Sequence, residues 1–216
     1  MLTSEFSNIK LIIKKAFTNE LPGEKAHKLM LPQGRGLYPV ADKNTILQSS
    51  VLMLLFPKHG TINTCLIRRP PTMRNHGGQI SFPGGRHEPS DNDLAQTALR
   101  ESFEEIGTEV NSIEILGKLS PLYVHVSNFM INPFLGWCET MPKFEIDNHE
   151  VDEIFTIPVG KFLNHTRKQF QKVSTIQGII EVPGFYIDNL FIWGATAMII
   201  SEFNEIFKSL SIIKSP

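Results

Sequence analysis

The chain has 216 residues, a length that suits one α/β or α+β domain with a full core. Lys and Arg (21) nearly balance Asp and Glu (22), so there is no electrostatic reason to expect DNA or RNA as a partner. The longest apolar run, Val51 to Phe56, is too short to span a bilayer, and lysines interrupt the N-terminal apolar stretch. We therefore expect a cytoplasmic protein that has no membrane segment.

At the N-terminus, apolar residues recur at helical spacing over residues 5–17, and the sequence Leu21-Pro22-Gly23 is expected to end this helix. A short second helix is predicted from Glu24 towards Arg35, followed by a loop rich in Pro and Gly. We divide the chain into an N-terminal helical extension, residues 1–40, and a main domain, residues 41–216. The extension either packs on the domain or forms a dimer interface, so a homodimer is an open alternative.

The main domain is predicted to begin with a β-hairpin. Its strands are the apolar run 50–56 and the segment 61–67, joined by a loop of four or five residues around Pro57 to Gly60. A helix is predicted from Asp93 to Ile106, strands at 113–118, 130–138, 151–157 and 175–187, and a last helix from Ala195 to Phe207. Strands and helices mix without regular βαβ alternation, which indicates an α/β (α+β) fold with a mixed β-sheet between helices. Cys65 and Cys138 lie in apolar stretches and are interpreted as buried, unpaired thiols.

The predicted helix that ends at Ile106 carries an unusual acidic face. Glu101, Glu104 and Glu105 stand at positions i, i+3 and i+4, so they share one side of the helix. Ser90 or Asp91 is expected to cap the N-terminus, and Gly107 to end the helix. The opposite side is apolar and is expected to pack against the sheet; its residues are Ala95, Ala98, Leu99, Phe103 and Ile106.

Three carboxylates on one helix face repel one another, at a cost of about 0.2–0.5 kcal/mol for each pair. One explanation is a solvated acidic face that pairs with Arg100. The other is a divalent cation, because hard ions such as Mg²⁺ prefer oxygen ligands and bridge carboxylates to substrate phosphates. The turn Phe82-Pro83-Gly84-Gly85 directly upstream favours the cation, since glycines let the backbone approach a ligand closely.

This segment resembles the Nudix box, the signature of the Nudix hydrolases. Arg100, Glu101, Glu104, Glu105 and Gly107 match the box at its spacing. Three departures are present. The acidic residue after the glycine turn is Asp91 instead of Glu, with one extra residue between it and Arg100, and we interpret it as a helix cap. Ser102 and Thr108 stand where the box has aliphatic residues.

The preceding segment resembles the signature of the coenzyme A pyrophosphatase branch of this family. Leu66, Arg69, Arg74, Gly78 and the turn at residues 82–85 fall at the right spacing. The lengthened box and the tail Ile192 to Ala197 are also typical of that branch. We interpret Trp193, within this tail, as a core residue and His76 as a residue that stabilises its loop by hydrogen bonding.

The resemblance implies a Nudix-type α/β/α sandwich and hydrolysis of a pyrophosphate bond in a small-molecule nucleoside-diphosphate substrate, with coenzyme A the first candidate. Glu101, Glu104, Glu105 and the carbonyl of Gly85 would hold Mg²⁺ or Mn²⁺, with Arg100 orienting the glutamates. Arg69 and Arg74 would bind the diphosphate, because guanidinium groups bond phosphate bidentately. A further carboxylate is expected from Glu150, Asp152 or Glu153. Two alternatives stay open: a hydrolase of ADP-ribose, NADH or dinucleoside polyphosphates, and a Nudix domain that senses a nucleotide without cleaving it.

Overall fold

The longest apolar run of the chain becomes the central strand of an eight-stranded sheet. The computed structural model describes residues 2–34, 36–37, 45–73, 76–164, 168–175 and 178–210. The strands are β1 Leu47–Lys58, β2 Thr61–Arg68, β3 Ile80–Ser81, β4 Gly84–Arg86, β5 Ile113–Lys118, β6 Leu122–Val124, β7 Phe129–Cys138, β8 Glu153–Pro158, β9 Gln169–Thr175, β10 Gly178–Ile187 and β11 Leu190–Trp193. The helices are α1 Leu2–Ala16, α2 Glu24–His27, α3 Leu94–Ile106, α4 Val159–Asn164 and α5 Gly194–Leu210, with 3₁₀ turns at Lys28–Met30 and Val110–Ser112.

The large sheet is mixed. Strand β1 runs parallel to β7 and antiparallel to β2 and β4, while β5 and β6 pair antiparallel with β7, and β3 and β8 with β2. A second antiparallel sheet has the order β11-β10-β9. The prediction of a mixed sheet between helices is therefore confirmed.

The middle of strand β1, from Val51 to Phe56, is apolar because both faces of the sheet are covered there. Leu52 and Leu54 belong to the core beneath α3, whereas Met53 and Leu55 belong to the core beneath α1 and α5. Alternate side chains of a strand point to opposite faces, so a segment that is buried on both sides is a continuous apolar run and does not alternate with polar residues. This arrangement makes the fold an α/β/α sandwich.

Two predictions about the strands were wrong. The turn between β1 and β2 has two residues, His59 and Gly60, instead of four or five; both have positive φ, as a tight hairpin turn requires. The predicted strand 175–187 is β10, and its partner β9 was missed because its sequence is polar and exposed. Helix α1 ends at Ala16, within one residue of the predicted end at residue 17, and it begins three residues earlier than predicted.

The described part of the N-terminal extension packs on the rest of the chain. Lys10 of α1 forms ion pairs with Glu114 and Glu139, at 2.7 and 2.5 Å, and Ile13 is fully buried. Residue 35 and residues 38–44, at the predicted boundary between the extension and the main domain, lie outside the described residues. No described helix is long and apolar enough to cross a membrane.

A buried carboxylate ties the extension to the last helix. Glu202 of α5 is fully buried; its Oε1 accepts a hydrogen bond from the Gly23 N–H at 3.1 Å, and its Oε2 lies 3.1 Å from Nε2 of His27. The Ser120 N–H donates to Glu202 as well. Burial alone would raise the pKa of Glu202, but the hydrogen bonds from His27 and Ser120 hold this pKa below its usual value.

Replacing Glu202 by leucine is expected to lower the free energy of unfolding by about 3–5 kcal/mol, because His27 and two backbone N–H groups lose their buried acceptor. The matched control is Glu205→Leu on the same helix, where an exposed ion pair with Lys208 is lost and the change should stay near or below about 1 kcal/mol. Urea denaturation measures both, and equal losses for the two variants would contradict the role of Glu202.

Candidate active site

Helix α3 presents the acidic residues, and its two ends are fixed by the residues around it. Asp93 is the N-cap, accepting a hydrogen bond from the Gln96 N–H at 2.8 Å, so the predicted cap at Ser90 or Asp91 was wrong. Gly107 ends the helix in the left-handed conformation, φ 70°, as predicted. The extra residue in the acidic motif lies in the irregular segment 87–93, before the helix begins.

The buried face of α3 is more polar than its aliphatic residues suggest. Ala98 and Ile106 are fully buried as predicted, but Phe103 is 54% exposed, since it lies about 100° around the helix from buried Ser102. The Ser102 hydroxyl lies 2.8 Å from that of Thr108, and both side chains are buried. Ser102 and Thr108, the two polar residues at aliphatic positions of the motif, therefore satisfy each other's need for a hydrogen-bond partner.

The glycine turn brings the backbone against the carboxylates of α3. Gly84 has φ 152°, and a Cβ there would lie 2.2 Å from the Ser50 carbonyl oxygen. A Cβ on Gly85 would lie 2.3 Å from Oε2 of Glu101, so this carboxylate packs directly on the glycine. The Gly84 N–H donates to Oε2 of Glu105 at 2.8 Å. Only glycine fits at both positions, which explains the turn that the sequence shows.

Glu105 is the most enclosed of the three glutamates, with 1% of its surface exposed. Arg69 lies 3.5 Å away, from Nη1 to Oε1. Burial raises the pKa of Glu105 to about 8; the Gly84 hydrogen bond and Arg69 counteract this increase, while the charges of Glu101 and Glu150 add to it. The pKa of Glu101 is also raised, by burial first, and by Glu104 and Glu150 against the opposing effect of Arg100.

Arg100 connects the other two glutamates. Its Nη1 donates to Oε1 of Glu101 at 3.0 Å and to Oε2 of Glu104 at 2.9 Å. Its Nε and Nη2 donate to the two carboxylate oxygens of Asp91, at 2.8 and 3.0 Å, and the pKa of Asp91 is held well below its usual range by this pairing. Asp91 was predicted to cap a helix, but it anchors Arg100 instead. No local periodicity signals a contact that spans an irregular loop.

The carboxylates of α3 are suitable ligands for a divalent cation, but they are not arranged around a common point. Among the described residues, no three His, Cys, Asp or Glu side chains form a ready set of metal ligands. Arg100 holds Glu101 and Glu104, and Glu105 bonds to Gly84. All donors are nonetheless oxygens, and the nearby charge of Glu101 adds to the effect of burial in raising the pKa of Glu105. A hard cation would relieve that repulsion once Arg100 yields its contacts.

Among the three further carboxylates predicted from sequence, Glu150 is placed best. Its charge raises the pKa of both Glu101 and Glu105, which indicates that it lies near both. Glu153 is instead paired with Arg68, at 2.5 Å from Oε2 to Nη1. Asp152 is exposed and its backbone N–H donates to the Arg68 carbonyl.

A cavity of about 800 Å³ opens beside the glycine turn and is lined by Gly84, Gly85, Arg69 and Arg86. His76 also lines it and contacts Gln79 through Nδ1 at 3.0 Å, which confirms its predicted role in stabilising the loop. Trp193 was predicted to be a core residue but is half-buried and lines the cavity. Arg74, the second predicted phosphate ligand, lies outside the described residues.

Neither cysteine is suited to catalysis. Cys65 and Cys138 are free and buried, as predicted. Burial raises the pKa of the Cys65 thiol to about 12, so it stays protonated at neutral pH and is a poor nucleophile.

Known proteins match this chain over the segment that carries the site. The model of the NUDIX domain family matches residues 46–176. An uncharacterized Nudix hydrolase, NudL, from Pectobacterium atrosepticum is 33% identical over 144 residues, covering 67% of this chain and 74% of that protein. In fold, the chain resembles RenU, a Nudix hydrolase of M. smegmatis, with a TM-score of 0.51, 11% identity and coverage of 83% and 95% of the two chains. The MutT protein of Methanosarcina mazei gives a TM-score of 0.50 at 15% identity, covering 78% and 99%.

Proposed function

Since this chain belongs to the Nudix hydrolase family, we propose that it hydrolyses the pyrophosphate bond of coenzyme A to give 3′,5′-ADP and 4′-phosphopantetheine. The observation that carries the proposal is the position of Glu101 and Glu105 against Gly85 and Gly84, at the wall of a cavity that Arg69 also lines. The two carboxylates, the glycine backbone that packs against them and the Arg69 guanidinium therefore lie together beside a cavity that a diphosphate can enter.

In the proposed site, Glu101, Glu104, Glu105 and the Gly85 carbonyl would hold Mg²⁺ or Mn²⁺. The ion would supply Lewis acidity towards the phosphoryl oxygens and lower the pKa of a bound water. Arg69 binds the diphosphate and neutralises charge that develops on it. Arg100, itself anchored by Asp91, sets the orientation of Glu101 and Glu104. Glu150, near Glu101 and Glu105, accepts the proton of the attacking water.

Coenzyme A is favoured as the substrate by the segment from Leu66 to Gly85, which resembles the signature of the coenzyme A branch, with departures at Ile67 and Pro70. Its loop is closed at the base, where the Arg69 N–H donates to the Gln79 carbonyl at 3.1 Å and the Gly78 N–H donates to the Arg69 carbonyl at 2.9 Å. This closure fixes Arg69 beside the cavity. Because the described part of residues 1–40 packs on the rest of the chain, we also propose that these residues are an extension of the domain.

A substrate panel tests the proposal. With Mg²⁺ or Mn²⁺ present, kcat/KM for coenzyme A is expected to exceed that for ADP-ribose. If a cationic side chain contacts the 3′-phosphate, the kcat/KM of dephospho-coenzyme A should fall between these two values. Such a contact contributes roughly 1.5–3 kcal/mol, about ten- to hundredfold in kcat/KM. Products are identified by mass. Tenfold preference for ADP-ribose would reject coenzyme A and leave the family assignment in place.

A further inference from the structure

The cavity beside the glycine turn has two kinds of wall. Arg69 and Arg86 are the permanently charged side chains among its described lining residues. Arg86 follows Gly85 in β4, and Arg69 lies 3.5 Å from Glu105, which accepts the Gly84 N–H. A second group of lining residues comes from segments outside residues 46–176, the range that matches the family. We name the large apolar side chains of this group the flank wall; they are Leu31, Pro32, Trp193, Met198 and Ile199. The group also includes Gly36, Gly194, Ala195 and Thr196, and the Thr196 hydroxyl donates to the Ile80 carbonyl.

The flank wall offers no charge to a ligand. Its members are apolar, apart from the indole N–H of Trp193, and Pro32, Met198 and Ile199 are buried while Leu31 and Trp193 are half-buried. An anionic group placed there would lose its hydration without gaining a cationic partner, which is strongly unfavourable. As far as the described residues go, the flank wall therefore fits the uncharged, extended part of a substrate better than a second phosphorylated group.

The flank wall is held in a fixed place by polar contacts between its two segments. Glu202, which follows Ile199 on α5, accepts the Gly23 N–H and contacts His27, a few residues before Leu31. Ser201 Oγ donates to the Ala26 carbonyl at 2.9 Å. These contacts are buried, so the position of Leu31 over α5 is a property of the folded protein and needs no ligand to form it.

We infer that the flank wall binds the uncharged arm attached to the diphosphate and that Leu31 sets the selectivity for this arm. The inference rests on the proposed function, because it assigns one part of the same substrate to one wall of the same cavity. In coenzyme A the nucleotide end carries an extra phosphate, whereas the pantetheine end is uncharged and partly apolar. The flank wall matches the pantetheine end. Arg86 is the charged lining residue left to face the nucleotide end, since Arg69 is assigned to the diphosphate.

Leu31→Trp, which narrows the cavity at the flank wall, provides the test. Two substrates share the nucleotide and the scissile bond: coenzyme A, and an analogue in which a methyl group replaces the pantetheine arm. We expect at least a tenfold loss of kcat/KM for coenzyme A and less than a twofold change for the methyl analogue. In calorimetry without turnover, the variant should bind 4′-phosphopantetheine at least fivefold more weakly and 3′,5′-ADP unchanged within twofold.

Leu29→Trp is the matched control, because Leu29 is 49% exposed, two residues away, and does not line the cavity. It should change none of these values by more than twofold. If Leu31→Trp is not stably folded, Leu31→Ala replaces it, with an expected loss of at least threefold for coenzyme A alone. Equal effects on both substrates, or none on either, overturn the inference while leaving the proposed function intact. If the wild type cleaves no pyrophosphate but the variant weakens 4′-phosphopantetheine alone, the proposed function fails and the inference stands.

Discussion

Replacing Glu105 by glutamine is expected to lower kcat by at least a thousandfold while leaving the protein folded. Glutamine keeps an oxygen that can accept the Gly84 N–H, but it lacks the negative charge needed to hold a divalent cation. Steady-state kinetics with a saturating divalent ion measure the effect. Glu101→Gln should act in the same direction, since Glu101 lies against Gly85. Glu109→Gln, at an exposed glutamate just beyond α3, is the matched control and should keep wild-type turnover.

Stability shows whether this loss reflects chemistry or unfolding. The pKa of Glu105 is raised to about 8 in the folded protein, so its contribution to stability is present at acidic pH and is lost as the pH rises from about 4.5 through 8. Without metal, Glu105→Gln should match the wild type near pH 4 and be more stable at pH 9 by up to about 5 kcal/mol, since the pKa rises from about 4.5 to about 8 and each pKa unit corresponds to about 1.4 kcal/mol. A variant that is active within tenfold of wild type, or that melts earlier at pH 9, would contradict the role of Glu105.

Removing divalent ions with a chelator is expected to abolish hydrolysis completely, and Mg²⁺ or Mn²⁺ should restore it. Oxygen ligands suit these ions, and the site offers carboxylates and a backbone carbonyl. The protein should stay folded in chelator, because Arg100 already neutralises part of the charge on Glu101 and Glu104.

Binding of the ion can be followed without turnover. Mn²⁺ should raise the melting temperature of the wild type, because a ligand that binds only the folded state stabilises it. The same addition should leave Glu105→Gln nearly unchanged. Full activity in excess chelator would exclude a metal-dependent reaction.

The sequence predicts those parts of the fold that depend on local patterns. The apolar run from Val51 to Phe56 marks the central strand, because a strand covered on both faces has no polar alternation to obscure it. The acidic helix follows from the spacing of Glu101, Glu104 and Glu105 together with Gly107. Strand β9 escapes notice because nearly every side chain in it is exposed or half-exposed, so it carries no apolar period.

The candidate site could be predicted in composition but not in its contacts. The spacing on α3 identifies the glutamates, yet the pairing of Arg100 with Asp91 depends on the path of an irregular loop. The place of Leu31 beside Ile199 depends on the packing of two segments far apart in the chain. Such contacts are set by tertiary structure, and no periodicity in a single sequence encodes them.

The buried hydroxyl pair of Ser102 and Thr108 makes these two positions mutually dependent. If either residue became aliphatic alone, the remaining hydroxyl would stay buried without its partner, which typically costs about 1–3 kcal/mol. Restoring aliphatic residues at both positions therefore needs two substitutions, and the first of them lowers the stability of the protein. We therefore expect Ser102 and Thr108 to be kept or replaced together. A motif search that demands aliphatic residues at both positions would miss this chain, although its glutamates are intact.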